Sequence, residues 1–310
     1  MRSAFVSLVG RPNVGKSTLL NALIGKKISI VSDKPQTTRT RVRGILNKDD
    51  AQLVFVDTPG LHKASTALGE RVNATALESM RDVDIVCLVV DASQPFGSGD
   101  KWVSEQLDIS KAIVVLNKVD AVSSAKVLAQ LNALSQLGAA EYFPISAKSG
   151  EGIEQLIAEL VKRAPDGPAM YPSEMVSETP QAEWVAELVR EQLLAVTRDE
   201  LPYSIATRVT EWEWPRVRCE IVVERESQKG MVIGKAGSVL KSVGIEVRKQ
   251  MPDGAFLELF VVVDKDWQHR ADRVERLGYY IFPMEQSESI RSSRLKVFIG
   301  VLKARLGRSY

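Results

Sequence analysis

Residues 10–18 read Gly10-Arg11-Pro12-Asn13-Val14-Gly15-Lys16-Ser17-Thr18, and this glycine-rich segment is the strongest indication of the fold in the chain. An apolar run typical of a buried strand, Phe5 to Val9, comes before it, and a helical pattern, Ser17 to Gly25, follows it. The glycines let the backbone curl, so that successive amides point at an anion at the helix N-terminus. In the pattern G-x-x-x-x-G-K-[ST] the lysine, Lys16, reaches the β- and γ-phosphates, and the hydroxyl of Ser17 holds Mg²⁺. The stretch therefore predicts a loop that binds a nucleoside triphosphate.

Up to residue 165 the chain repeats one sequence pattern: an apolar run, a polar turn and then a helical pattern. Most of the runs are apolar at successive positions, which is typical of strands buried on both faces. We therefore expect an α/β fold in which a mostly parallel sheet carries helices on both faces and binds its ligands at the carboxyl ends of the strands. The predicted strands are Phe5 to Val9, Leu53 to Val56, Ile85 to Val90, Ala112 to Leu116 and Tyr142 to Ile145.

Two further segments are candidates for binding the metal and the γ-phosphate. Asp57-Thr58-Pro59-Gly60-Leu61 follows a strand, which places the Asp57 carboxylate within reach of the metal and the Gly60 amide beside the γ-phosphate. The polar loop Gln36-Thr37-Thr38 is a candidate switch, in which one threonine completes the Mg²⁺ shell when triphosphate is bound. We favour Thr38 over Thr37 in this role. The predicted Mg²⁺ ligands are thus Ser17, Thr38 and Asp57.

The segment Asn117-Lys118-Val119-Asp120 follows the fourth predicted strand and indicates which base is bound. A carboxylate such as that of Asp120 accepts two hydrogen bonds at once, and guanine offers the matching N1–H and exocyclic amine. Adenine offers no such pair of donors. Ser146-Ala147-Lys148 ends the last strand and can present a backbone N–H to the guanine O6. Together these two motifs predict that the nucleotide is GTP.

The five nucleotide motifs resemble those of the translation-factor-related GTPases, specifically the Era family. They are G-R-P-N-V-G-K-S-T-L-L-N, Q-T-T-R, D-T-P-G-L-H, N-K-V-D and S-A-K-S-G, and the resemblance covers about residues 4 to 278. It implies a GTPase. Leu61 stands where many small GTPases have a glutamine that orients the attacking water, so intrinsic hydrolysis is expected to be slow. The resemblance also implies that Asn13 helps to hold a K⁺ ion that substitutes for an arginine finger.

Residues 163 to 184 are rich in proline, serine and acidic residues, which is typical of a linker. We therefore predict a GTPase domain at 1–165, a linker at 166–180, a second domain at 181–278 and a basic extension at 279–310. The second domain shows the element order α-β-β-α-α-β. Its predicted elements are helix Gln181 to Glu200, strands Tyr203 to Thr210 and Val217 to Glu224, helices Glu226 to Ile233 and Ser238 to Met251, and strand Ala255 to Val263. Glu211 to Pro215 is predicted to be a turn whose tryptophans fill the core in preference to stacking on bases.

The motif Gly234-Lys235-Ala236-Gly237 joins the two central helices of the second domain. Its glycines let the connection lie flat, so that a nucleic-acid backbone can approach the amides. The domain as a whole is net acidic, but residues 224 to 249 hold six basic residues, Lys241 among them, against three acidic ones. Positive charge therefore lies where phosphates would run. The motif, its flanking helices and the element order predict a smaller α+β domain of the KH type that binds RNA.

The Era resemblance extends to this domain, through V-E-R-E-S-Q-K-G-M-V-I-G-K-A-G. It implies that a type II KH domain binds the 3′ end of small-subunit ribosomal RNA during assembly of the 30S subunit. Beyond Leu277-Gly278-Tyr279 the resemblance fades, and residues 279 to 310 carry six basic residues against two acidic ones. The sequence leaves open whether this tail is an amphipathic helix for a membrane or RNA, or an appended, weakly ordered extension.

The composition indicates the cellular compartment in which the protein is expected. Its two cysteines, Cys87 and Cys219, lie in an apolar run and a predicted strand, which indicates buried thiols in a reducing compartment. No apolar run reaches about 18 residues and no signal segment begins the chain, so we expect a cytoplasmic protein. We further expect a monomer, with peripheral association at the cytoplasmic face of the inner membrane as an additional possibility.

Two other functions fit parts of the sequence. A small-molecule kinase could use the same phosphate loop with residues 181 to 278 as its acceptor domain, although N-K-V-D and S-A-K count against this. A scaffold that binds GTP with negligible turnover is suggested by Leu61. Release of inorganic phosphate by the purified protein separates the scaffold from the enzyme.

Overall fold

The computed structural model describes residues 1–61, 66–79, 83–198 and 200–279. His62 of the D-T-P-G-L-H motif, and the chain from residue 280 onward for which a helix or an extension was considered, lie outside the described residues. Within the described ranges, each helix is too short or too polar to span a lipid bilayer.

The first half of the chain forms a six-stranded sheet. Its strands are β1 (Arg2–Val9), β2 (Val42–Lys48), β3 (Ala51–Asp57), β4 (Ile85–Asp91), β5 (Ile113–Asn117) and β6 (Glu141–Pro144). They are arranged in the order β2-β3-β1-β4-β5-β6, and every neighbouring pair is parallel except β2 with β3. The mostly parallel sheet and all of its predicted strands are confirmed.

Helices cover both faces of this sheet. They are α1 (Lys16–Ile24), α2 (Ala67–Glu78), α3 (Ser98–Ser104), α4 (Ser124–Ser135) and α5 (Ile153–Arg163). Successive residues of β4 enter different apolar clusters: Cys87 packs with α1 and α5, whereas Leu88 packs with α2, α3 and α4. This alternation is what a strand between two layers of helices requires. The carboxyl ends of the parallel strands consequently meet at one edge, where the loops of the predicted site are attached.

Strand β2, the antiparallel edge strand, is absent from the sequence prediction. Its residues V-R-G-I-L-N-K contain a glycine and several polar residues, because only part of an edge strand is covered. Gly44 packs closely on the layer below, since a Cβ at this position would lie 2.5 Å from Cδ1 of Ile28. The sequence pattern is therefore too weak for a strand prediction, although the packing is tight.

The predicted linker, residues 166–180, lies along this edge of the sheet. Ser177 forms a β-bridge with Gly44, and Arg43 donates a hydrogen bond of 2.8 Å to Glu178. The proline-rich segment thus packs on the first domain before the chain enters the second.

The second domain is built on a three-stranded sheet. Its elements are α6 (Gln181–Val196), α7 (Leu201–Ser204), β7 (Ala206–Glu213), β8 (Arg216–Val223), α8 (Glu226–Ile233), α9 (Ser238–Arg248), β9 (Phe256–Val263) and α10 (Ala271–Arg276). The central strand β8 is antiparallel to β7 and parallel to β9. Helices α6, α8 and α9 share one apolar core with the sheet. The predicted order α-β-β-α-α-β is present, with the short helices α7 and α10 added to it.

The first strand of this domain was predicted with wrong boundaries. Tyr203 lies in α7, and β7 continues through Glu211 to Glu213, so that the predicted turn shrinks to Trp214-Pro215. The pairing of β7 with β8 shifts register just before Glu211. Such an irregularity interrupts the alternation of apolar and polar residues that marks a strand in sequence.

The two tryptophans near this turn have different environments. Trp212 packs against the core of the domain, as predicted. Trp214 is 49% exposed, so the expectation that it fills the core is wrong for this residue.

An apolar cluster joins the two domains. Leu68 and Val72 of α2 pack with Trp267, Val274 and Tyr279 of the second domain. The ring of Trp267 is fully buried and stacks on that of Tyr279, with the ring centroids 6.2 Å apart. The second domain is therefore docked beside the helix that follows the D-T-P-G segment.

Candidate functional site

The predicted phosphate loop connects β1 to α1 at the carboxyl edge of the sheet. Gly15 has a φ of 94° directly before the helix. Gly10 lies so close to β4 that a Cβ would be 2.5 Å from the Val89 carbonyl oxygen. A larger residue would be strained at the first position and would clash at the second, so the loop requires both glycines. The loop borders a cleft of about 390 Å³, which is lined by residues 11–18, 30–33, 36–38, 60, 91, 94 and 118.

The side chains of this loop have different partners. Arg11 donates to Oδ1 of Asp100 at 2.7 Å, which ties it to α3. Val14 is buried in the core below the loop, whereas Asn13 and Thr18 line the cleft. In loops of this kind backbone amides add to such side chains as donors to an anion.

Lys16 lies at the start of α1 and is only 6% exposed. Its ammonium group donates to the carbonyl oxygens of Gly10 at 3.0 Å and Arg11 at 2.9 Å. Burial lowers the pKa of Lys16 to about 8, against the opposing attraction of Asp57. A desolvated ammonium held by the loop itself is well suited to bind phosphate oxygens.

The three predicted metal ligands converge from separate segments. The Ser17 hydroxyl donates to Oδ2 of Asp57 at 2.7 Å and lies 2.8 Å from the hydroxyl of Thr38. Thr38 is in turn 3.4 Å from the same carboxylate oxygen. The hydroxyl of Thr37 donates to the Lys34 carbonyl oxygen at 2.7 Å instead. Thr38, and not Thr37, is thus the threonine beside the other two ligands.

The electrostatics of Asp57 fit a divalent cation. The residue is fully buried, and among the described residues its Oδ1 atom has no hydrogen-bond partner. Burial raises the pKa of Asp57, and the nearby Lys16 opposes this shift. Two hydroxyls and an unpaired carboxylate oxygen are hard donors of the kind that Mg²⁺ prefers. Ser17, Thr38 and Asp57 could therefore hold Mg²⁺.

The structure adds Ser29 to this group, a residue that the sequence reading missed. Its hydroxyl donates to Oδ2 of Asp57 at 3.1 Å, and the residue is buried. Ser29 belongs to no nucleotide motif, so only the fold brings it to the site. Gln36, the remaining predicted switch residue, lines the cleft with a φ of 60°.

Residues 58 to 61 contact either the phosphate loop or the buried interior of the first domain. Thr58 donates to the Leu8 carbonyl oxygen at 2.8 Å. Gly60 packs on the phosphate loop so tightly that a Cβ would lie 2.6 Å from the backbone nitrogen of Pro12. Pro59 and Leu61 are buried, and the Leu61 side chain lies in the apolar cluster above α2. Leu61 therefore does not line the cleft, and its side chain orients no water there.

Asn117 connects the phosphate loop to the predicted guanine loop. Its side-chain amide donates to the Val14 carbonyl oxygen at 2.9 Å and accepts from the Ala147 amide at 3.0 Å. The segment Ser146-Ala147-Lys148 was predicted to present a backbone N–H to the guanine O6, and of its amides that of Ala147 is bound to Asn117 here. Asn117 acts as a brace between two loops that the nucleotide must bridge.

The remaining residues of the two predicted guanine motifs lie around Asn117. Asp120 is exposed and accepts a hydrogen bond from the Ser146 hydroxyl. Lys118 donates to the Asn13 carbonyl oxygen and to Oδ2 of Asp91, both at 2.7 Å. Val119 packs on the apolar cluster and Lys148 is exposed. Asp91, at the end of β4, is thus a partner of Lys118 that no sequence motif indicated.

The predicted RNA-binding loop of the second domain lies between α8 and α9. Gly234 has a φ of 74°, Ala236 of 50° and Gly237 of 75°. Lys235, Ala236 and the nearby Lys241 are exposed. At Gly237 a Cβ would meet nothing within 4 Å, so the loop faces open space. The amides of Gly234 and Gly237 donate to the carbonyl oxygens of Gly230 and Gly234, so the exposed lysines are the groups of this loop that are accessible to a phosphate backbone.

Fold and site together define a P-loop GTPase that carries a KH domain. Residues 5–118 match the family model described as 50S ribosome-binding GTPase, and residues 200–268 match the KH domain model. GTPase Era of Heliobacterium modesticaldum is 42% identical over 291 residues, which cover 90% of this chain and 97% of the relative. GTPase Era of Mycobacterium tuberculosis is 44% identical over 296 residues, which cover 89% of this chain and 98% of the relative.

Solved structures agree with these relatives. A crystal structure of Era in complex with MgGDPNP and nucleotides 1506–1542 of 16S ribosomal RNA has a TM-score of 0.87 at 35% identity, covering 91% of this chain and 100% of that chain. A variant of Aquifex aeolicus Era bound to GDP·AlF₄⁻ gives the same TM-score at 34% identity. The chain belongs to the Era family of GTPases. It is therefore a GTPase, which decides against the small-molecule kinase and the scaffold without turnover.

Proposed function

We propose that the protein is a GTP-hydrolysing switch that binds the 3′ end of 16S ribosomal RNA through its KH domain and acts in assembly of the 30S subunit. The observation that carries the proposal is the likeness, over 91% of this chain, to the Era structure that contains MgGDPNP and 16S nucleotides 1506–1542. The first domain alone has about half of the 310 residues. Coverage of that extent therefore involves both domains.

The RNA contact is proposed at Gly234, Lys235, Ala236, Gly237 and Lys241. The positive φ angles at three of these positions make a tight turn, in which Lys235 and Ala236 are exposed. An extended RNA backbone can then lie against the loop, with the two exposed lysines beside its phosphates. The KH fold supports this placement, because the loop between α8 and α9 is where such domains clamp single-stranded nucleic acid.

The switch is proposed to depend on the Mg²⁺ ligands of the first domain. Lys16 and the loop amides bind and orient the β- and γ-phosphates, while Ser17, Thr38 and Asp57 hold the ion, which offsets phosphate charge. Thr38 is proposed to share the ion with the γ-phosphate, so that its contact with the ion depends on bound triphosphate. Hydrolysis and phosphate release then free the loop.

We propose K⁺ as a second, monovalent cofactor near Asn13. The Asn13 side chain donates to the Asp33 carbonyl oxygen at 2.7 Å, which places it at the cleft beside the switch loop. A cation there would offset the negative charge that develops during phosphoryl transfer.

The proposed setting is the cytoplasm, where 30S subunits are assembled, and the proposed state is a monomer. A peripheral contact with the inner membrane is supported by the six basic residues of the segment 279–310. Anionic lipid headgroups attract such segments.

The test uses full-length protein and two RNAs of equal length, one with the sequence of 16S nucleotides 1506–1542 and one scrambled. Affinity is measured at one salt concentration with GDPNP or GDP bound. We expect tight binding only to the native sequence, and tighter binding with GDPNP than with GDP. Equal affinity for both RNAs would remove the ribosomal assignment. Accumulation of 16S precursor on depletion of the protein in cells tests the assembly role.

A further inference from the structure

The candidate switch loop is bonded to the second domain on both sides of Thr38. On one side, the guanidinium group of Arg190, in α6, donates to the carbonyl oxygen of Thr37. On the other side, Arg39 donates to the carbonyl oxygens of Ile205 at 2.6 Å and Tyr203 at 2.9 Å. The two arginines cross the domain interface in opposite directions. Both neighbours of Thr38 are thus held by the second domain.

The environment of Arg190 makes its bond to the loop a strong one. The side chain is fully buried, and Glu187, in the preceding turn of α6, accepts from its Nε at 2.8 Å. Glu187 thereby compensates the charge of the buried guanidinium group. A charge-assisted hydrogen bond in such surroundings is stronger than one at the surface, and a buried carbonyl that loses its donor is costly. Arg190 is therefore more than a surface contact between domains.

Two hydrogen bonds restrain Thr37, the residue directly before Thr38. The Thr37 hydroxyl binds the Lys34 carbonyl oxygen at 2.7 Å, and the Thr37 carbonyl binds Arg190. These bonds fix the backbone from which the Thr38 hydroxyl reaches to within 2.8 Å of that of Ser17. Mg²⁺ demands ligand distances of about 2.0–2.1 Å in near-ideal octahedral geometry. A small rotation of the peptide between Thr37 and Thr38 would therefore take Thr38 out of the metal shell.

We propose that Arg190 is a positioning residue for GTP hydrolysis: from the KH domain it holds Thr38 at the metal through the carbonyl group of Thr37. Arg190 is not among the residues that line the cleft, so it acts through Thr37 and not by direct contact with a ligand. The inference rests on the role proposed above for Thr38 as a Mg²⁺ ligand. It assigns to the second domain a part in the chemistry of the first, separate from any RNA contact.

Arg71 provides a matched control. It is also an arginine at the domain interface, and it donates to Glu275 of α10 at 2.8 Å. It lies on α2, and its bond to Glu275 involves none of the residues 37 to 39. An Arg71→Ala variant therefore weakens domain docking without releasing the switch loop.

The experiment compares full-length wild type with Arg190→Met, Arg190→Lys, Arg71→Ala and Thr38→Ala. Hydrolysis at saturating GTP is followed as a function of Mg²⁺ concentration, and affinities for GDPNP and GDP are measured in parallel. For Arg190→Met we expect the Mg²⁺ concentration at half-maximal rate to rise about tenfold and the GDPNP affinity to fall about tenfold. GDP affinity stays unchanged, because GDP lacks the γ-phosphate with which Thr38 shares the ion. Arg190→Lys recovers part of the loss, since an ammonium can still donate to Thr37.

The outcomes distinguish a failure of the positioning role of Arg190 from a failure of the metal role of Thr38. A Thr38→Ala variant with normal Mg²⁺ dependence overturns the metal role of Thr38, and with it the proposed switch. A shift in Thr38→Ala but none in folded Arg190→Met overturns the positioning role alone. Equal loss of GDP and GDPNP affinity, or the same Mg²⁺ shift in Arg71→Ala, reduces Arg190 to a structural contact. If Arg190→Met does not fold, Arg190→Lys decides the question, and a wild-type Mg²⁺ midpoint in that variant rejects the proposal.

Discussion

The hydroxyl of Ser146 donates a hydrogen bond of 2.6 Å to Oδ1 of Asp120, although the two residues are 26 positions apart in the chain. Asp120 is exposed, and an exposed carboxylate is free to rotate unless a neighbour fixes it. Ser146 supplies that fixed contact from the next loop. The carboxylate that the sequence assigns to guanine is therefore oriented before a base arrives.

We expect Asp120→Asn to change the preferred nucleotide from GTP to xanthosine triphosphate. The Ser146 hydroxyl can donate to the carboxamide oxygen, which leaves the amide N–H₂ to bind the 2-keto group of xanthine. Loss of two hydrogen bonds to a charged group should lower GTP affinity by about 10²-fold. Titration of both nucleotides measures this, and a variant that still prefers GTP shows that Asp120 does not read the base. Adding Ser146→Ala should weaken the new preference, because the amide is then free to turn.

Unassisted hydrolysis is expected to be slow, about 10⁻⁴ to 10⁻² s⁻¹, and to rise when K⁺ replaces Na⁺. The Asn13→Ala variant should lose the response to K⁺ while retaining GDP binding. Asn13 has a φ of 63°, so Asn13→Gly is the matched control that removes the side chain without backbone strain. Phosphate release in the two salts is the measurement. A full K⁺ response in both variants means that no ion is held by this side chain.

GTP binding is expected to take up protons near pH 8. Burial lowers the pKa of Lys16 to about 8 in the free protein, so the ammonium loses its charge as the pH rises through that value. Phosphate oxygens favour the charged form and raise this pKa again, so at pH 8 roughly half a proton should be taken up per GTP bound. Affinity should accordingly fall above pH 8. Calorimetry in two buffers with different ionisation enthalpies measures the uptake, and identical apparent enthalpies in the two buffers contradict the assignment.

Substitution of both Lys235 and Ala236 by Asp should abolish RNA binding while leaving GTP binding intact. The new side chains obstruct the approach to the loop and repel phosphate. Both positions are exposed at the loop, so the fold should survive. Any stimulation of hydrolysis by the RNA should be lost as well.

The control for this double variant is Lys265→Asp, which reverses an exposed charge of the same domain outside the loop. RNA affinity and GTP affinity are measured for all three proteins at one salt concentration. Wild-type RNA affinity in the folded double variant would leave the KH domain as a protein-contact module. Similar losses in both variants would indicate an effect of overall charge and not of the loop.

The fold class, the nucleotide and the family were predictable from the amino-acid sequence. These follow from local patterns: successive apolar residues in β4 or β5 mark strands between two layers, and each nucleotide motif stands directly after such a strand. Because a parallel sheet brings the carboxyl ends of its strands to one edge, the order of the motifs already implied that they meet. The α-β-β-α-α-β order and its glycine loop identified the second domain in the same way.

The polar residues that complete these sites were not predictable, because long-range packing brings them together. Strand β2 lies at an edge and has little apolar pattern, Ser29 belongs to no motif, and Leu61 follows the D-T-P-G segment but packs in the core. Arg190 is 153 positions from Thr37, and Arg39 is 166 positions from Ile205. Apolar periodicity reports that one face of an element is covered, but it does not name the covering residues. The partners of a buried arginine are set by where a second domain docks, and that depends on the packing of the whole chain.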